Sequence, residues 1–188
     1  WVPFGGNGPT AVGLTAGTYT VNITDANGCT QSASVTITQP AVLTASIVGT
    51  NVACNGGNNG AANLTPGGGT PVYTYNWSSG NTTQDLTGLT AGTYTVTVTD
   101  SKGCTVTASV TITQPALIVL STSVLNTTCG LDNGSATVTV SSGGVSPWDY
   151  SWSNGSNTNN TASTSNTISS LAAGTYTVTV NDNNNCKA

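Results

Sequence analysis

The chain has 188 residues, of which only 4% are charged: Lys102, Lys187 and six aspartates, giving a net charge of −4 with no His, Met, Glu or Arg. Two scattered lysines exclude a nucleic-acid footprint and argue against attraction to an anionic membrane surface. No apolar run approaches the about 20 residues that a membrane-spanning helix needs, and the lack of His, Glu and paired carboxylates removes the usual acid–base catalysts.

In chain order, Trp1–Pro40 reads as the back half of a repeat, with its front half expected ahead of Trp1. Ala41–Pro115 reads as one whole repeat and Ala116–Ala188 as a third, nearly complete. The domains are thus expected at 1–40, 41–115 and 116–188. The register rests on one stretch. Gly88–Pro115 matches Gly13–Pro40 at 22 of 28 positions, and Ser170–Ala188 matches its start at 11 of 19. Cys54 and Cys129, like the aromatic clusters 73–77 and 148–152, lie 75 residues apart, whereas Gly92 and Gly174 lie 82 apart. The seven extra residues of the third repeat fall in the Ser/Asn/Thr-rich segment Ser153–Ser165, expected as a surface loop.

In Tyr94–Thr99 the apolar residues alternate with Thr. Period two predicts a strand with one buried and one wet face. Asp100-Ser101-Lys102-Gly103 supplies turn chemistry, the return strand runs from Cys104 to Thr113, and Gln114-Pro115 stops it. Within 41–115 strands are expected near Leu43–Val48, Gly60–Leu64, Val72–Trp77, Thr83–Leu86, Thr93–Thr99 and Thr105–Thr113, with turns at Asn55–Asn59 and Pro66–Thr70. Short strands at this spacing predict an all-β chain of tandem immunoglobulin-like antiparallel β-sandwich domains. Only Gln114-Pro115-Ala116 joins two units, so a rod is expected.

The motifs Y-x-Y-x-W (Tyr73–Trp77), G-L-T-A-G-T-Y-T-V-T-V-T-D (Gly88–Asp100), Gly103-Cys104 and T-I-T-Q-P (Thr111–Pro115) resemble the SprB-type repeat of Bacteroidota gliding-motility adhesins. That resemblance implies an extracellular or cell-surface location, export by the type IX secretion system, and a non-catalytic structural or adhesive role in reach and in surface or glycan contact. A second reading makes the units accessory carbohydrate-binding modules of a secreted polysaccharide-degrading enzyme. A third has the chain polymerise into an extracellular fibre. Expected partners are neighbouring repeats of the same chain and a surface polysaccharide or other surface ligand, with no cofactor.

Each repeat carries one cysteine before its second strand and one after the G-T-Y-T-V strand. Disulfides are therefore expected within repeats, Cys54–Cys104 and Cys129–Cys186, with the partner of Cys29 ahead of Trp1. The rival is a cross-repeat pair, Cys29–Cys54. Without His or C-x-x-C spacing, zinc is the poorer reading. Tyr73, Tyr75, Trp77 and Trp152 read as core aromatics, and Tyr94, two residues after a glycine, as a tyrosine corner. Trp148, where the second repeat has Tyr, is the candidate glycan contact. Asp25, Asp100 and Asp182 open equivalent turns. Calcium needs several clustered oxygens, so they read as turn residues and no metal site is expected.

Overall fold

The computed structural model describes residues 1–4 and 6–188. It is all-β: among the described residues there are antiparallel strands and no helix. β1 (Gly17–Thr24) and β2 (Thr30–Ile37) form a hairpin. The next unit comprises β3 (Thr44–Thr50), β4 (Gly60–Gly67), β5 (Thr74–Trp77), β6 (Leu86–Leu89), β7 (Gly92–Thr99) and β8 (Thr105–Ile112). The last comprises β9 (Val119–Leu125), β10 (Gly134–Ser142), β11 (Trp148–Trp152), β12 (Asn157–Thr161), β13 (Ser165–Leu171) and β14 (Val178–Asn181).

The second unit is a two-sheet sandwich. One sheet has strand order β3-β4-β6 and the other β5-β7-β8. The T-V-T-V alternation explains why. Val96 and Val98 are fully buried while the intervening Thr residues face outward, so one face of the hairpin must be covered. Leu43, just before β3, and Ala62, Leu64, Leu86 and Leu89 from the first sheet meet Trp77, Val96, Val98 and Ile112 from the second in one core. On the wet face Thr93 and Thr111 are hydrogen-bonded across β7 and β8 at 3.1 Å, as are Thr18 and Thr36 across β1 and β2 at 3.0 Å; such cross-strand pairs tie the ladder side to side.

The third unit has an equivalent first sheet, β9-β10-β13, while its second sheet has the order β12-β11-β14, with β11 central, around a separate core. Its loop 130–133 is one residue shorter than 55–59, and β10 is one residue longer than β4. A register shift between Val140 and Ser142 absorbs the difference. In the first unit the hairpin has no facing sheet among the described residues. Ile23 is 61% exposed, whereas its counterpart Val98 is 0% exposed.

Three sequence expectations are corrected. The segment Ser153–Ser165 is not only loop: Asn157–Thr161 forms β12 on the edge of β11, so the insertion lengthens a hairpin. The fourth strand of the second unit lies at Leu86–Leu89 rather than Thr83–Leu86. Residues 83–85 instead lock the two sheets, with Trp77 Nε1 donating to Thr83 O (2.9 Å), Gln84 Nε2 to Leu64 O (2.7 Å) and Leu64 N to Asp85 Oδ1 (2.9 Å). Finally, β4 runs through Pro66 to Gly67 before turning. Past Ala62 it has no partner on the β6 side, and a strand edge tolerates proline.

Candidate functional site

Three pieces meet where the second sandwich joins the third: loop 51–59, segment 113–118 and the hairpin turn 182–186. Each is built by local chemistry. In the loop, Asn59 Oδ1 accepts the Ala53 N–H (2.9 Å) and Gly57 N donates to Cys54 O (3.1 Å), which fixes the backbone around Cys54. The loop is tied to the end of β8, with Val52 N donating to Thr113 O and Thr113 N to Asn51 Oδ1, both at 2.9 Å. It also reaches the connecting segment, where Gly56 N donates to Gln114 Oε1 (2.8 Å) and Asn55 Nδ2 to Pro115 O (3.0 Å).

The turn is organised by Asp182. Its Oδ1 accepts the N–H groups of Asn184 (2.8 Å) and Cys186 (2.9 Å), and its Oδ2 that of Val145 (3.0 Å). Asp100 does the same in the second unit, accepting from Lys102 and Cys104 at 2.9 Å and from Thr70 at 2.8 Å. The Thr70 N–H, with those of Cys104 and Lys102, holds the Asp100 carboxyl below its ordinary pKa against the opposing effect of burial. Asp25 keeps the two turn contacts, from Asn27 and Cys29. These carboxylates therefore bind backbone N–H groups. Among the described residues no three His, Cys, Asp or Glu side chains are grouped to hold a metal ion.

The Asp-anchored loop needs glycine. Gly68 and Gly143 have φ of +64° and +76°, and a Cβ on either would collide with the carbonyl of Val42 or Leu117. The loop thus lies directly on the segment entering its own sandwich.

The junction is closed covalently. Cys54 of the second sandwich is bonded to Cys186 of the third, 132 residues on, and Asn184 Nδ2 donates to Ala53 O at 3.4 Å beside the bond. This corrects the expected pairs Cys54–Cys104 and Cys129–Cys186; Cys29, Cys104 and Cys129 are free and exposed. The reason is geometric. Cys54 lies by Thr113, beyond the Gly92↔Ile112 end of the β7–β8 ladder, and Cys104 lies beyond the Thr99↔Thr105 end. Eight extended residues separate the two ends by roughly 25 Å, against about 5.5 Å between bonded cysteine Cα atoms. The rival Cys29–Cys54 pair is absent too, since the bond runs forward to the next unit's turn. The bond is cross-repeat, but between Cys54 and Cys186. The usable signal was that each unit's two cysteines sit at opposite ends of a full-length strand.

The aromatics fall as follows. Trp77 and Trp152 are buried, with indole N–H groups bonded to Thr83 O and to Asn166 Oδ1 (2.7 Å). Tyr73 and Tyr75 pack against the second core, and Tyr73 Oη donates to Gly68 O at 2.6 Å. Tyr94 Oη donates to Thr90 O at 3.1 Å, and Tyr19 and Tyr176 make the same contact in their own units. Trp148 does not present its ring to a glycan. It is 4% exposed, in the third core, with its ring against Gly144.

These features define a class: tandem β-sandwiches joined end to end by a clamped junction, with no catalytic constellation in the residues that build it. Two segments, 46–82 and 121–157, match the family model described as the SprB repeat. The chain carries SprB repeats there, in a structural rather than catalytic repeat family whose members are extracellular or surface-associated. The matched segments include both front cysteines and both aromatic strands, and together cover less than half of the chain. No curated protein matches it.

Proposed function

We propose that this chain is a non-catalytic stalk region of a secreted cell-surface adhesin of the gliding-motility type, which carries adhesive surfaces outward as a stiff array of sandwiches. The observation that carries this reading is the clamped junction. Only Gln114–Ala116 separates two folded units, and the Cys54–Cys186 bond, the Gln114 and Asn55 contacts and the Asn184 contact hold them against each other. A flexible linker would transmit neither position nor load. The disulfide suits an oxidising exterior, and the nearly uncharged Thr/Ser/Asn surface suits contact with surface polysaccharide. The partners are neighbouring repeats of the same chain and a surface ligand.

Small-angle scattering of chains with increasing numbers of the 41–115 repeat tests this. Maximum dimension should rise by a constant increment per repeat. Growth as the square root of repeat number, the behaviour of a flexible string, contradicts it.

A further inference from the structure

The junction between the first and second units shows half of the same clamp. A groove there is lined by Pro40, Ala41, Val42, Gly69, Asp100 and Cys104. One repeat later the equivalent groove is lined by Pro115, Ala116, Leu117, Gly144, Asp182 and Cys186. The two correspond residue by residue in the repeat register. They differ in one respect. At the second junction Cys54 and Asn55 form one wall, leaving a cavity of about 180 Å³; at the first no such loop is present among the described residues and the cavity is about 420 Å³. Cys186, bonded, is buried, whereas Cys104 is an exposed thiol and Val42 is 81% exposed.

We propose that the groove at Cys104 is a docking site for the cysteine loop of a further SprB repeat, supplied by a front half-repeat lying against the β1–β2 hairpin, and that Cys104 captures this loop as a disulfide. Everything that receives the Cys54 loop is repeated at the first junction. Gln39 stands where Gln114 accepts the Gly56 N–H, and Pro40 where Pro115 accepts from Asn55. Lys102 stands where Asn184 donates to Ala53 O. The donor side is repeated as well. Around Cys129, Asn133 Oδ1 accepts the Thr128 N–H at 3.0 Å, as Asn59 does for Ala53, so each repeat that has a front half offers the next a preformed cysteine loop. The free thiols then belong to one pattern, in which the front cysteine of each repeat bonds the turn cysteine of the following one. The step converts two protein thiols to one disulfide and, by two exchanges, reduces one disulfide of a small-molecule oxidant to two thiols.

The test supplies such a donor. Trp1 occupies the repeat position of Trp77, as Val2 N donating to Thr20 O (2.9 Å) parallels Ser78 N donating to Thr95 O (2.8 Å). A second copy of Ala41–Asn76 placed ahead of Trp1 of the full chain therefore completes the first unit in register. The protein is oxidised with glutathione disulfide and mapped without reduction. The expected result is a bond from the added cysteine to Cys104, absent in the Cys104→Ser variant, with Cys54–Cys186 retained. A bond to Cys29, or an added cysteine left free while Cys54–Cys186 forms, overturns the proposal. The stalk reading survives that failure, because it rests on the second junction.

A second measurement needs no new fold. A peptide of Asn51–Asn59, activated at its cysteine as a mixed disulfide with an aromatic thiol, is offered to the native chain. Attack by the Cys104 thiolate forms the peptide disulfide and releases the aromatic thiolate. Relative to activated cysteine alone, the peptide should favour Cys104 over Cys29 by about tenfold. An unchanged ratio contradicts docking.

Discussion

Replacing Cys186 by Ser removes the covalent tie between the two sandwiches, and its size follows from the loops the bond closes. With both sandwiches unfolded the bond spans 132 residues, which corresponds to about 5 kcal/mol in the chain-entropy model. With only one unfolded, it still closes a loop of roughly 60–70 residues between the junction and the cysteine, about 4 kcal/mol. Most of the effect therefore falls on whichever sandwich opens first, and only about 1 kcal/mol remains for the other. The bond makes the two units unfold together. Scanning calorimetry of the oxidised chain should show one transition for the two sandwiches. Cys186→Ser should split it and lower the earlier midpoint by roughly 15–30 °C for a unit of this size. Cys104→Ser, at an exposed unbonded thiol, should change stability by less than about 0.5 kcal/mol. A Cys186→Ser protein that melts in a single transition at the original temperature refutes the reasoning.

Gly143→Ala should lower stability by about 2 kcal/mol or more, because alanine must adopt φ +76° and meet the Leu117 carbonyl; a urea midpoint equal to that of the unsubstituted chain contradicts this. The Asp100 carboxyl is depressed in the folded state. Folded protein thus binds its proton less readily than unfolded protein. The stability this gives is complete above the ordinary aspartate pKa and is lost as pH falls through that value towards the folded one. Denaturation midpoints measured from about pH 6 down to about pH 3 should fall, and Asp100→Asn should flatten that fall; an unchanged acid slope removes Asp100 from the account.

Much of the fold is legible in the residues. Val96 and Val98 alternating with Thr specify both a strand and the face it buries, and Asp100 to Gly103 specify the turn, because both signals act within a few residues. The placement of residues 83–89 is not legible this way. Gln84 and Asp85 bond to Leu64 on another strand, a contact with no local sequence pattern. β12 is hidden for a similar reason: Asn157–Thr161 has no apolar alternation, being an exposed edge strand held by backbone pairing to β11. The junction was partly legible. The short Gln114–Ala116 connection predicts close units, but the cysteine pairing depends on which end of each sandwich a residue occupies. A single repeat taken as the unit of pairing puts Cys54 with Cys104, a strand's length away. The burial of Trp148 is not legible either: a Tyr-to-Trp change beside a glycine loop reads as exposed in sequence, while Gly144 leaves room for the larger ring inside.

The clamp between units is tested most directly by cleaving the oxidised, unreduced chain on the N-terminal side of each Asp. Cys29 and Cys54 then lie in Asp25–Gln84, Cys104 and Cys129 in Asp100–Leu131, and Cys186 alone in Asp182–Ala188. The structure predicts Asp182–Ala188 joined to Asp25–Gln84 through Cys54, with Asp100–Leu131 unlinked and its thiols open to alkylation. Asp182–Ala188 joined instead to Asp100–Leu131, and that peptide to Asp25–Gln84, would place the bonds within repeats and remove the clamp.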